Sequence, residues 1–172
     1  HYLKEVIRVK DHVRSAEVEA LLAEMGEIFA TPNEVYGLLM NADMSFPKVK
    51  GKNQELIEIT QVNFTKFMRN MDRNLRKKVY QKFYGEIGKF RNTIGSVLKN
   101  NIIVDVRIAQ AHNYENARDA AMDGPNIPTE VYDKLVDTVR DNLHVLHRHV
   151  ELKKKSQELD RIRMWDLYVP MT

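Results

Sequence analysis

Six residues, Asp123-Gly124-Pro125-Asn126-Ile127-Pro128, divide the second half of this chain between two long helical patterns. Glycine adds backbone freedom and proline removes an N–H donor, so neither helix can run through this stretch. Before it, Val79, Phe83, Ile87, Phe90, Ile94, Val97 and Ile102 step by three or four positions with one gap of five, and Val104 and Ile108 continue the series. A single helix over Arg73–Ala111 would be roughly 58 Å long. After it, Val131, Leu135, Val139, Leu143, Leu146 and Val150 form a second stripe that continues to about Leu159, for roughly 45 Å. A compact 172-residue domain is about 40 Å across. Helices of those lengths must bend, or be struts of something larger.

Shorter elements precede them. Leu3 to Val13 fits a short helix, and Ser15 suits the N-cap of the next, with Glu17 and Glu19 in its first turn. Thr31-Pro32-Asn33-Glu34 reads as a further helix start with a capping box, in a helix ending near Asn41. The period then changes. Met44, Phe46 and Val49 lead into Lys50-Gly51-Lys52-Asn53, then Leu56-Ile57-Glu58-Ile59, and this alternation around a Gly/Asn turn reads as a β-hairpin over about 44–59 in which Pro47 limits the first strand to an edge. Thr60 can cap a helix through Met68, and Asp72 the long helix. Gly85, Gly88 and Gly95 within it mark close helix contacts or a local bend. Tyr114 to Met122 fits a short helix, Asn126 can cap the last one near Pro128, and Met164 to Pro170 reads as an extended exit. The expected fold is mainly α: long antiparallel helices with one small β-hairpin.

Several chemistries are excluded. With no cysteine there is no disulfide framework, thiolate metal site or cysteine nucleophile. No apolar run reaches the roughly 20 residues a membrane helix needs. His144 and His147 share a helix face, but His-Val-Leu-His-Arg-His is not the H-E-x-x-H of a zinc peptidase helix, and no third ligand is patterned nearby. Surface or packing roles suit these histidines, and His1, His12 and His112 are isolated. The glycines fit no phosphate loop, and no serine stands in a G-x-S-x-G elbow.

Charge is uneven. Residues 61–112 hold 11 Lys/Arg against 3 Asp/Glu, between two mildly acidic flanks. Arg69, Arg73, Arg76, Lys77, Lys78 and Lys82 interleave with Tyr80, Phe83 and Tyr84. Such a block is a solvated cationic face, a dock for an acidic neighbour, or a nucleic-acid patch. Phe83 belongs to the apolar stripe, which favours core packing of the aromatics over base stacking. A stand-alone basic helical module, for nucleic acid or for helix pairing, is the alternative function. At the break, Tyr114, Arg118 and Asp119 beside a helix end either satisfy backbone groups or form a binding wall.

Tyr114-Glu-Asn-Ala-Arg-Asp-Ala-Ala and Asn126-Ile-Pro-Thr-Glu-Val-Tyr-Asp-Lys-Leu resemble a signature of oligoendopeptidase F-type peptidases, in the thimet-oligopeptidase-like zinc metallopeptidase family. Asn41-Ala-Asp-Met-Ser-Phe-Pro, Lys66-Phe-Met, Asp72-Arg-Asn-Leu-Arg-Lys-Lys, Leu146-His-Arg-His with Glu151-Leu-Lys-Lys-Lys, and Met164-Trp-Asp-Leu-Tyr resemble it in the same order. The resemblance spans essentially the whole chain. It implies a helical wall of a deep channel that admits short peptides, within a larger helical metallopeptidase. It implies an N-terminal-type segment over 1–70 and the long-helix start of the peptidase domain over 71–172. It also implies zinc in the parent protein, held by two His of H-E-x-x-H and a later Glu, none of which occurs here. This segment would bind no zinc itself. Its partners would be the missing catalytic half and oligopeptide substrates, without membrane or nucleic acid, in the cytoplasm. Tyr114, Arg118 and Asn126 become substrate-channel candidates, and no catalytic or metal residue carries over.

Overall fold

The computed structural model describes residues 2–51 and 54–171. The chain is mainly helical, with one antiparallel pair of short strands. It divides into two compact units: residues 1–42 with 92–136, and residues 43–91 with 137–172.

In the first unit, α1 (Tyr2–Val9) continues into a 3-10 turn over Lys10–His12. Ser15 caps α2 (Ala16–Glu24), its hydroxyl accepting from the Val18 N–H at 3.4 Å, as its sequence position suggests. Then α3 (Gly26–Leu38) departs from expectation, because Thr31 and Pro32 lie inside it rather than at its start. The Thr31 hydroxyl donates to the Glu27 carbonyl at 3.4 Å, so the expected capping box does not form. A π-helical turn, Leu39–Asp43, follows. The unit resumes with α6 (Arg91–Ala111) and α7 (Ala117–Asp123), and takes in the first part of α8 (Thr129–Asp141). Expected from Tyr114, α7 instead begins at Ala117, because the Asn116 side chain caps it by accepting from the Asp119 N–H at 2.9 Å.

In the second unit, β1 (Val49–Lys50) pairs with β2 (Leu56–Ile57), Val49 opposite Ile57 and Lys50 opposite Leu56. Among the described residues the strands reach no further, one more bond joins Gly51 N–H to the Glu55 carbonyl at 2.9 Å, and Pro47 lies outside the strand. The expected Lys52-Asn53 turn lies outside the described residues. Thr60 and Asn63 form a full capping box on α4 (Gln61–Met68), with bonds of 2.8 and 3.2 Å. Asp72 caps α5 (Arg73–Lys89) through the N–H groups of Asn74 and Leu75. Val49, Ile59, Met68, Leu75, Val79 and Phe83 form the buried core, flanked by Phe46, Phe64, Phe67, Tyr80, Ile87 and Trp165. The end of the chain is not an extended exit: Met164–Asp166 forms a 3-10 turn against α5, and Val169 is buried.

Both long helices are interrupted. The first breaks at Phe90, where φ −100° and ψ 13° leave the helical region, not at Gly85, Gly88 or Gly95. Nothing lies within 4 Å of where a Cβ would stand on those glycines, so they mark no close contact. The second breaks at Asn142 (φ −101°, ψ 8°), separating α8 from α9 (Leu143–Ser156). The longest helix is then α6, whose 21 residues span roughly 32 Å.

Candidate functional site

The three sequence candidates all lie in the first unit, around the corner between α6 and α8. The chain leaves α6 by a Schellman turn: Asn113 adopts φ 60°, its N–H donates to Gln110 O at 3.2 Å, and the Tyr114 N–H donates to Ala109 O at 2.9 Å. That turn places the Tyr114 ring flat on His12, with centroids 3.6 Å apart and planes 5° apart. The Tyr114 hydroxyl donates to Asp123 Oδ2 at 2.7 Å. Arg8 from α1 pairs with the same carboxylate and donates to the Asp123 carbonyl at 3.0 Å. His12 and His112 each place Nδ1 on the other's carbonyl, at 3.0 and 3.1 Å. A carbonyl only accepts, so both rings carry a proton on Nδ1.

Burial, then the bond to Asp123, pushes the Tyr114 hydroxyl up to about 12. Burial raises Asp123 as well, but Tyr114 and Arg8 outweigh it and hold the carboxyl below its ordinary value. Tyr114 therefore stays a donor and Asp123 a paired carboxylate at neutral pH. The arrangement fastens α1 to the corner.

Asn126 does not cap the last helix. At φ 56° it closes α7 in a second Schellman turn, with Asn126 N–H on Asp123 O at 2.8 Å and Ile127 N–H on Met122 O at 2.9 Å. Asparagine tolerates this left-handed backbone better than most residues. Arg118, on α7, donates to Asp133 Oδ1 at 2.8 Å and lies over the Tyr132 ring. Its side chain is 44 % exposed, the one candidate with a charged group facing solvent. Sequence reading missed Arg8 and His12 as partners of this corner, because contacts 100 or more positions apart leave no local pattern.

The second unit holds a buried ionic cluster. Asp166 Oδ1 accepts from Arg73 Nε at 3.0 Å and Arg76 at 2.8 Å. Its Oδ2 accepts from Arg73 and the Arg163 N–H, each at 2.9 Å. Asp166 and Arg76 are both buried. Arg76 also donates to the carbonyls of Asn70, Met71 and Trp165, tying the end of α4 and the C-terminal turn to α5. Burial raises Asp166, yet Arg73, Arg76 and the Arg163 N–H hold it below its ordinary value. Phe64 stacks on Phe83 at 4.2 Å, and Tyr80 and Tyr84 pack around them. Phe83 and Tyr80 thus serve the core, while Tyr84 packs on Phe64 and keeps 47% of its surface exposed.

His144, His147 and His149 are exposed on α9. Among the described residues, no group of three His, Cys, Asp or Glu could hold a metal ion. These residues do not fit a catalytic zinc. No helix among the described residues is long and apolar enough to cross a membrane.

The family described as Peptidase family M3 matches residues 66–171, and that described as Oligopeptidase F matches residues 1–46. Oligopeptidase PepF of Bacillus subtilis is 36% identical over 171 residues, covering 99% of this chain and 26% of the relative. Group B oligopeptidase PepB of Streptococcus agalactiae is 38% identical, covering all of this chain and 29% of the relative. The crystal structure of oligoendopeptidase-F from Enterococcus faecium superposes with a TM-score of 0.96 at 37% identity, over 99% of this chain and 34% of that one. The chain thus spans 26% to 34% of the length of these three proteins.

Proposed function

The chain belongs to Peptidase family M3, and from that membership we propose that it is a segment of a zinc metallo-oligopeptidase that hydrolyses short peptides in the cytoplasm. The segment supplies scaffold and channel wall, and the zinc and the catalytic residues lie in another part of the protein. The observation that carries this reading is the coverage: relatives named oligopeptidases match this chain end to end while extending to more than three times its length. Two further features support it. The sequence contains no H-E-x-x-H. Apolar side chains along α8 and α9, including Leu135, Val139, Leu146 and Leu152, are more than half exposed, as surfaces awaiting more protein would be.

Within that reading, 1–70 is the N-terminal-type segment and 71–172 opens the peptidase domain, a division suggested by the two separate family matches. Tyr114, Arg118 and Asn126 would stand at the channel wall. Arg118, with its exposed guanidinium, would meet substrate, while Tyr114 and Asn126 would hold the wall's shape.

The test is a fluorescence-quenched oligopeptide assay with this chain plus zinc, beside the full-length protein. Cleavage by the full-length protein alone, abolished by a chelator, is expected. Chelator-sensitive cleavage by the chain itself would overturn the scaffold reading.

A further inference from the structure

The outward face of α5 has a composition that helix stability alone does not favour. Arg73, Lys77 and Gln81 make one row at four-residue spacing, and Asn74, Lys78 and Lys82 make the next, all exposed. Arg73–Lys77 and Lys78–Lys82 are like-charge pairs at i,i+4, which destabilise a helix. Glu86 ends the second row four residues after Lys82, but it pairs with Lys89 at 2.7 Å. The adjacent strand adds to the charge. Val49 points into the core, so alternation turns Lys48 and Lys50 outward.

Two concavities open on this face, both inside the second unit. One, of about 460 Å³, is lined by Arg73, Asn74, Lys77, Gln81, Arg163 and Trp165. The other, of about 340 Å³, is lined by Lys48, Val49, Lys50, Lys78, Gln81 and Lys82. Gln81 lines both, so they adjoin. Among the described residues, Lys48, Lys50, Lys77, Lys78, Lys82 and Arg163 form no ion pair, while Arg73 is held by Asp166. Six cations without partners thus surround two neighbouring hollows, with the amides of Asn74 and Gln81 as neutral donors between them. Such a surface fits a chain carrying several carboxylates. Nucleic acid fits it less well, because Phe83 is buried, Tyr80 packs on Phe64, and the half-exposed Tyr84 lines neither hollow.

We propose that the two adjoining hollows on the outward face of α5 bind acidic oligopeptides, their side-chain carboxylates seated among Lys77 and Arg163 on one side of Gln81 and Lys48, Lys50, Lys78 and Lys82 on the other. The inference rests on the oligopeptidase reading only in naming peptides as what this face meets. Binding itself is measurable without any cleavage.

Trp165 is the chain's single tryptophan and lines the first hollow, so its fluorescence reports occupancy directly. Hexaglutamate titrated at low salt should change that fluorescence saturably, and added salt should weaken it. Lys77→Gln with Arg163→Gln, and separately Lys78→Gln with Lys82→Gln, should each weaken binding by roughly fivefold to tenfold. Lys99→Gln, on exposed α6, controls for net charge and should leave affinity unchanged; circular dichroism confirms folding of each variant. An absent response would overturn the proposal. So would equal binding of hexaglutamine, equal affinity for inorganic phosphate, or tighter binding of a six-nucleotide oligothymidylate. In the full-length protein, the Lys78→Gln/Lys82→Gln variant should raise KM for a glutamate-rich peptide with kcat unchanged. A full-length protein that cleaves no peptide would instead remove the function proposed above and leave the binding result standing.

Discussion

Asp166 has no exposed surface, yet its carboxyl is held in the charged form by four donors. Removing it would leave Arg76 charged and buried without its counterion. Asp166→Ala should therefore cost about 3–5 kcal/mol of stability in denaturant melts. Because the folded carboxyl titrates below its ordinary value, this contribution is complete above the unfolded value of about 4 and fades as pH falls below it. The gap between the native chain and the variant should narrow in acid. Tyr114 behaves oppositely. Its folded value is pushed up to about 12, so the fold favours the protonated ring. Its contribution is present below the unfolded value of about 10 and is lost as pH rises toward 12. Tyr114→Phe removes the hydroxyl and its bond to Asp123. It should cost about 1 kcal/mol at pH 7 and melt with a shallower loss of stability between pH 10 and 12 than the native chain.

Single elements show where local sequence ruled and where it did not. The caps at Ser15, Thr60 and Asp72 were legible, because a cap is made by residues two or three positions apart. The hairpin was legible from its period. The breaks at Phe90 and Asn142 were not, since the apolar stripe continues through both and neither residue is a strong breaker. The sequence offers no physical reason for a stop at Phe90. The role of Asn126 was misread because an asparagine serves either end of a helix, and only its φ of 56° decides between them. Of the corner, Tyr114 and Arg118 were visible as polar groups near a helix end, but their partners Arg8 and His12 come from α1. Pro32 fits the first turn of a helix by sequence, yet it sits within α3. There it withholds an N–H from the Ile28 carbonyl. Pro32→Ala should raise stability by roughly 1–3 kcal/mol, read as a higher thermal midpoint. Helix α9 ends in another left-handed residue, Glu158 at φ 52°, in a Schellman turn closed by Leu159 N–H on Lys154 O at 3.1 Å. Glutamate lacks asparagine's tolerance of that backbone, so Glu158→Gly should stabilise by about 1 kcal/mol.

At the scale of the whole molecule, burial is unevenly shared between the two units. The second owns the apolar core of Val49, Ile59, Met68, Leu75, Val79 and Phe83 and the ionic cluster beneath it. The first buries Leu39, Met40 and Ala109 among its described residues, while Leu3, Ile7, Ile28, Leu98 and Ile102 stay more than half exposed. Fully burying an aliphatic side chain contributes about 1.5–3 kcal/mol, so most of the hydrophobic stabilisation resides in the second unit. Amide exchange should therefore be slowest in α4 and α5, and faster throughout α1, α2 and α6, because local opening follows the density of buried apolar contacts. Uniform protection across both units would contradict this distribution. The same exposed side chains set the behaviour of the isolated chain in solution. Apolar faces that a longer protein would cover are here left to water, and water favours their burial against any available partner. Light scattering should show concentration-dependent self-association of the isolated chain. The full-length protein, with those faces covered, should show less at equal molarity, and its α6 and α8 amides should exchange more slowly than in the isolated chain. An isolated chain that stays monomeric at every concentration, with unchanged exchange in the longer protein, would mean that these faces are simply solvent surface.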